Sequence, residues 1–338
     1  MDLPEIRVES KELFQLQSGA IRSWLLITAV EFNLFTHTAE KRTAAEIASI
    51  LRTHGPNTEL FLNALCSLGL LRKEHSAYIN TELADTFLVE GKESYLGGFL
   101  LLNEQWNLRS REQMKTLIQN GPIPAQESSD VPEAMFSQYI KEMRNFARSG
   151  VSQLVVKEIE RLPEFPKLRR MLDLGGAHGM DAIAIVNRNS SLSGVVFDKP
   201  AIVKYTRDII REYHMEERIT TIGGDYILDP IGDGYDLIFT KGTLNFAKDQ
   251  LASVCEKIYT ALAPGGIFVS LHEGLTDEDT KPAGMVLSWL PSCLASTDLS
   301  LSRDDIPNAM IKAGFTRVRT KPFPFPLGGV LDLTIGRK

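Results

Sequence analysis

Apolar positions recur with two different periods along the chain. Over residues 13–34 they fall at helical spacing, with Leu16, Ile21, Leu25, Ile27 and Val30 as one stripe and Trp24, Leu26, Phe32 and Leu34 widening it. A helix apolar on more than one face calls for more covering surface than one domain supplies. Thr43-Ala44-Ala45-Glu46 is a capping box that opens a helix over 44–51. Pro56 and Asn57 then break the chain. A second helix is predicted over 58–68, and strands at 70–71 and 78–80 flank a turn at 74–77. Long helices follow over 93–119, with Tyr95, Phe99, Leu102 and Trp106 on the apolar face, and over 134–159, with Phe136, Tyr139, Ile140, Met143 and Phe146. Between them, 121–132 is rich in Pro, Ser and Gly and reads as a surface loop.

From residue 171 the pattern shortens to apolar runs of four to six residues at 171–174, 194–197, 219–222, 235–240 and 267–271. Helices are predicted at 283–295 and 303–313, the latter closed by Gly314, and a final antiparallel strand pair at 315–318 and 330–335. Short apolar runs that alternate with helices specify an α/β sheet. Helix, helix and a two-stranded wing specify a winged helix. The predicted fold is therefore α/β: a mostly helical winged-helix domain over 1–166, and a Rossmann-like seven-stranded domain over 167–338.

Composition narrows the functions. A chain of 338 residues suits two domains. Its net charge of −6 argues against a phosphate-binding surface as the main function. The second helix of the wing, over 59–67, carries no Lys or Arg, so no nucleic-acid partner is expected. No run reaches about 18 apolar residues, so no membrane partner is expected. The acidic first twelve residues lack the apolar core of a signal peptide, which fits the cytoplasm. Cys66, Cys255 and Cys293 form no CxxC and have no His at metal spacing, so they read as reduced and structural, and no metal is expected.

The candidate chemistry starts at Met171-Leu172-Asp173-Leu174-Gly175-Gly176-Ala177-His178-Gly179, an apolar strand, a glycine turn and a helix start. The third glycine of a dinucleotide fingerprint would fall on Met180, and no phosphate-binding G-x-x-x-x-G-K-[ST] exists. What remains is Asp173, Gly175 and Gly179 in an acid-x-Gly-x-x-x-Gly pattern, with Ala177 at the middle small position. An unspecific glycine turn fits this motif as well as a nucleotide site does. Acids also close later strands: Asp198 after the second, roughly 20 residues past the first glycine, and Asp225 after the third.

The succession Asp-Leu-Gly-Gly-x-x-Gly, Phe-Asp-x-Pro, Gly-Gly-Asp, Lys-x-x-Leu and Leu-x-Pro-Gly-Gly resembles the plant caffeate and bacterial small-molecule O-methyltransferases, which depend on S-adenosylmethionine (SAM). The resemblance covers nearly the whole chain. It implies a homodimer through the N-terminal helices, a small-molecule acceptor, SAM as cofactor and S-adenosylhomocysteine (SAH) as product. It implies that Asp198 holds the ribose and that Asp225 and Tyr226, after Gly224, frame the adenine. Lys241 would lie near the methionine end, and Asp173, Gly175 and Gly176 would form the turn at the backbone approach. Acceptor contacts would come from Trp106, Tyr139, Met143, Arg144, Asn145 and Trp289, each of which also reads as core or as solvated surface.

One position departs from the family. The O-methylating relatives place a base histidine four residues after the lysine of the fourth strand, and here that residue is Asn245. An amide cannot take a proton near neutral pH but can still hydrogen-bond. Three readings stay open: a soft acceptor (sulfur or nitrogen) that needs no strong base, a different base such as His272 or Glu273 in an O-methyltransferase, or loss of catalysis. The first includes S-methylation of a small thioether acid, with Arg144 or Arg148 as carboxylate anchor; such a chain would look like the methylthio-hydroxybutyrate S-methyltransferases. A non-enzymatic winged-helix regulator is the alternative from another class.

Overall fold

A computed structural model describes residues 7–122, 133–296, 298–327 and 329–338 apart from 107–109, with the side chains of 106 and 133–135 also outside the description. Two compact units result, Met1–Asn103 and Glu104–Lys338.

The first unit opens with α1 (Lys11–Gln17), α2 (Gly19–Glu31) and α3 (Leu34–His37). The single helix expected over 13–34 is thus divided, at Ser18 and again at Asn33, which adopts a left-handed conformation (φ 49°). Its inner residues Ala29, Val30, Leu34 and Phe35 are buried, whereas Leu16 and Trp24 are 77% and 60% exposed on the single chain. β1 (Arg42–Thr43) leads into α4 (Ala44–Leu51), and the Thr43–Glu46 capping box forms in full. Pro56 does not break the chain. It sits in the first turn of α5 (Gly55–Ser67), where a missing N–H costs nothing. β2 (Leu71–Glu74) and β3 (Ala77–Asn80) form the hairpin, and β1 adds to it in the order β1-β3-β2. α6 (Glu82–Phe87) and α7 (Gly97–Trp106) follow.

The second unit begins with α8 (Arg111–Asn120), so the helix expected over 93–119 is two helices. The loop expected over 121–132 lies outside the described residues from 123 onward. The helix expected over 134–159 is broken into α9 (Glu133–Phe146) and α10 (Ser152–Glu160) by a widened turn at Ala147–Val151. Gly150 there has φ 119°, a conformation that helical residues do not adopt.

The sheet elements are β4 (Arg170–Leu174), α11 (Met180–Arg188), β5 (Ser193–Asp198), α12 (Pro200–Glu212), β6 (Ile219–Gly223), β7 (Tyr235–Lys241), α13 (Leu251–Ala261), β8 (Leu262–Glu273), α14 (Ala283–Ala295), α15 (Asp305–Lys312), β9 (Thr316–Phe325) and β10 (Gly329–Arg337). They make one seven-stranded sheet in the order β6-β5-β4-β7-β8-β10-β9. The pairings from β6 to β8 are parallel, and β10 runs antiparallel to β8 and β9. Strand residues alternate between two cores, as a two-residue period requires. Met171, Val196, Leu237 and Phe239 pack with α10, α11 and α12, while Leu172, Phe197, Ile238 and Phe268 pack with α13 and α15. No helix among the described residues is long and apolar enough to cross a membrane.

Candidate functional site

The strand order reverses between β4 and β7. Open α/β sheets bind ligands at the carboxyl ends of strands flanking such a reversal. Four connections meet there: Gly175–Gly179 after β4, the end of β5 at Asp198, Gly242–Asn245 after β7, and the end of β8 at Glu273.

Gly175 makes the turn with φ 73°, and its N–H donates to Phe197 O at 2.8 Å on the neighbouring strand. A Cβ at this position would overlap the Thr243 side chain, so the β4 and β7 loops touch at glycine. A Cβ on Gly176 would meet the Asp173 carboxyl at 2.6 Å. Asp198 closes the far side: Oδ2 accepts the Ala177 N–H (2.9 Å) and Oδ1 accepts the Lys199 N–H (2.7 Å). Each oxygen keeps a lone pair for a further donor. Burial raises the Asp198 carboxyl above its usual range.

Behind the turn lies a buried charged cluster. Burial, and then the neighbouring Asp181, push the Asp173 carboxyl up to about 8, and its Oδ2 has no partner among the described residues. Asp181, at the start of α11, pairs with Lys241 Nζ and accepts the Ser152 hydroxyl at 2.7 Å. Lys241 therefore stands where the chemistry was expected, but its ammonium is neutralised by this chain's own carboxylate. His178 is 4% exposed and accepts the Met180 N–H on Nδ1 (3.0 Å). Burial, then Lys241, lowers its pKa to about 4.

This set fits SAM. The molecule carries cationic sulfonium and ammonium groups, and a cation beside Asp173 would supply the donor its buried Oδ2 lacks. Asp198 retains acceptor capacity for the two ribose hydroxyls. Gly224 is buried against Phe197. Asp225 and Tyr226, half-buried, stand near the same edge: Asp225 Oδ1 accepts the Ile227 N–H (2.9 Å), and the Tyr226 hydroxyl donates to Thr243 O (2.6 Å).

The putting together of β7 and β8 decides the acceptor side. Asn245 is fully buried, and its Nδ2 donates to Glu273 Oε1 and to Leu299 O, the latter at 3.0 Å. Burial raises the Glu273 carboxyl to about 7. His272 faces the other way. Its Nε2 accepts the backbone N–H groups of Thr243 (3.0 Å) and Leu244 (2.9 Å), and Nδ1 lies 2.8 Å from Ser270 Oγ. With Nε2 accepting, the ring proton sits on Nδ1 and donates to Ser270, so neither nitrogen has a lone pair for a substrate. Burial lowers this imidazole to about 3. The expectation that His272 serves as a base is corrected on this ground: it is the clip that holds the β7 loop.

Arg144 donates from NH1 to Glu212 Oε2 at 2.6 Å, while its buried Nε has no partner among the described residues, so the guanidinium keeps an unpaired donor. Asn145 donates to buried Glu142 at 3.1 Å. Tyr139 lies against the core with its phenol raised by burial and by Asp198, so α9 reaches the end of β5. Met143 is half-buried on the same helix. Trp289 is half-buried and lines a concavity of about 190 Å³ with Lys248, Asp279, Cys293, Asp298 and Ser300. The Trp106 side chain lies outside the described residues. Sequence reasoning passed over Asp181, Ser152 and Thr243, although an acid in the first turn of the helix after the glycine loop was a visible signal for Asp181.

Comparisons with known proteins give the family. Residues 14–90 match the O-methyltransferase dimerisation domain and residues 130–292 the O-methyltransferase domain. The chain is similar to the N,N-dimethyltransferase OxyT of Streptomyces rimosus, at 30% identity over 319 residues that make up 92% of each chain. It is also similar to the tetracenomycin polyketide synthesis 8-O-methyl transferase TcmO of Streptomyces glaucescens, at 27% identity over 97% of this chain and 96% of that one. Among solved structures, the human N-acetylserotonin methyltransferase in complex with SAM superposes with a TM-score of 0.79, at 21% identity and 99% coverage of both chains.

Proposed function

This chain belongs to the SAM-dependent methyltransferases of the O-methyltransferase family, and from that premise we propose that it methylates a small-molecule acceptor at a soft atom, nitrogen or sulfur, without a general base. The observation that carries this is Asn245, buried where the base stands in O-methylating relatives and held there by Glu273 and Leu299. SAM supplies an activated methyl group on a cationic sulfur. The protein's part is alignment and exclusion of water, and positioning of this kind is worth about 7–11 kcal/mol. Asp198, Asp173 and the Gly175 turn hold the donor. Thr243, clipped by His272 and by Tyr226, fixes the loop that carries Asn245 toward the acceptor. The nitrogen acceptor named for OxyT supports this reading.

A second reading is O-methylation with Glu273 as base. It is favoured by a carboxyl near pKa 7, which suits proton transfer at neutral pH, and by relatives such as TcmO. Residues 1–166 act in this proposal as the dimerising and acceptor-capping part, built on a winged helix, and 167–338 as the SAM-binding part. The exposed apolar residues of α1 and α2 pair two copies into a homodimer. The test uses methyl-labelled SAM with matched phenols, amines and thioethers. Label on an amine or thioether and none on the phenol is expected, whereas label on the phenol alone would establish the Glu273 reading instead.

A further inference from the structure

We propose that Asn245 Oδ1 accepts a hydrogen bond from the reacting nitrogen of the acceptor, so that the acceptor is an amine carrying at least one N–H. This rests on the base-free reading and narrows it. Asn245 Nδ2 has two hydrogens, and both are committed, one to Glu273 Oε1 and one to Leu299 O. Leu299 O is an acceptor only and cannot face another oxygen, so the amide has one sensible orientation. Oδ1 is therefore the end turned away from Glu273. It is buried and has no partner among the described residues. A buried carbonyl oxygen without a donor from the protein is unfavourable, and a donor on the bound acceptor would satisfy it.

Each acceptor class meets Oδ1 differently. A thioether has no hydrogen to give. A thiol or a phenol reacts after losing the hydrogen it would donate, and an amide oxygen cannot take that proton. An amine attacks with its lone pair while its N–H remains in place. The N–C bond forms from that pair, the methyl–sulfur bond breaks with its pair going to sulfur, and the N–H stays on a nitrogen that becomes positive. The proton leaves to solvent with the product. As charge grows on nitrogen, the N–H···O=C bond becomes charge-assisted, so it is stronger in the transition state than in the ground state. A Glu273 carboxylate behind Nδ2 polarises the amide in the same sense.

Leu299 lies between Asp298 and Ser300, which line the concavity beside Trp289, and Asp298 there is paired with Lys248 at 3.0 Å.

The experiment uses the full chain, methyl-labelled SAM and arylmethyl acceptors on one scaffold: a primary amine, its N-methyl and N,N-dimethyl forms, a methyl thioether and the matching phenol. Label is expected on the primary and N-methyl amines, at least about tenfold faster than on the dimethylamine or thioether. A sulfonium or quaternary product at a comparable rate would overturn the inference and leave the base-free reading standing. Label on the phenol alone would overturn both, and no label on any amine overturns the inference. A second readout needs no turnover. Calorimetric binding of the N-methyl amine to the SAH complex should weaken about tenfold in Asn245→Leu, with SAH affinity retained as the control for folding. Equal amine affinity in variant and wild type overturns the proposal.

Discussion

His272→Gln isolates a buried hydrogen-bond acceptor whose contribution depends on pH. Glutamine can present Oε1 close to the position of the imidazole Nε2, so the Thr243 and Leu244 N–H groups keep an acceptor near neutrality. What the variant loses is a titrating group. In the fold the imidazole stays neutral until about pH 3, whereas an unfolded histidine takes its proton near 6.5. Between those values the unfolded chain binds the extra proton. The contribution of His272 is therefore fully present above about pH 6.5 and is lost as pH falls toward about 3. One proton corresponds to about 1.4 kcal/mol per pH unit. From pH 7.5 to 4.5 the wild type should lose about 3 kcal/mol relative to the glutamine variant.

Only the difference between the two proteins reads this cleanly. His178, lowered to about 4, acts in the same direction. Asp173 and Glu273, raised to about 8 and about 7, act against it, because there the folded state holds protons that the unfolded chain has released. These groups offset one another in the wild-type profile, so the comparison with the variant is what isolates His272. The assay is denaturant unfolding of both proteins at several pH values, joined by hydrogen exchange at the Thr243 and Leu244 amides. A wild type–variant difference that stays constant from pH 7.5 to about 4.5 would refute the assignment of His272 as a neutral buried acceptor.

Other expectations follow from the same geometry. Asp198→Ala should weaken SAH binding at least about tenfold by calorimetry, since it removes the carboxylate proposed to hold the ribose and the acceptor of the Ala177 N–H; unchanged affinity would mean another acid holds the ribose. Gly175→Ala forces an ordinary residue to φ 73° and a methyl into Thr243, so a loss of at least about 1–2 kcal/mol in thermal unfolding and a weaker cofactor complex are expected; full SAH affinity would show that the β7 loop can move away. Trp24→Glu places a charge on an exposed apolar face and should give a monomer in light scattering, with a dimer as the contrary result.

Much of the sheet was legible because its signals are local. The runs at 171–174 and 235–240 lie within β4 and β7, and helix α14 has the limits expected from its apolar stripe. The Thr43–Glu46 capping box needs only residues three apart, and it forms as read. The helix limits around 93–119 and 134–159 were less legible. A continuous apolar stripe hid a break whose cause, the φ of 119° at Gly150, is a backbone choice that a glycine permits but does not announce.

The sequence by itself determined the succession of strands and helices along the chain, the glycine turn after Asp173, the acid at Asp198 and an amide, Asn245, four residues after Lys241. It could not determine what those groups face. His272 and Asn245 were both candidates for the chemistry, and only the tertiary structure turned one onto backbone N–H groups 28 and 29 residues away. It brought the other against Glu273 and against Leu299, 54 residues on. It also closed Lys241 onto Asp181, which neutralised one cation beside the turn, and set one Arg144 nitrogen on Glu212. The physical reason is that a side chain's charge and hydrogen-bonding capacity are written in its residue type, whereas the partner that consumes them is set by strand pairing and burial across the whole sheet.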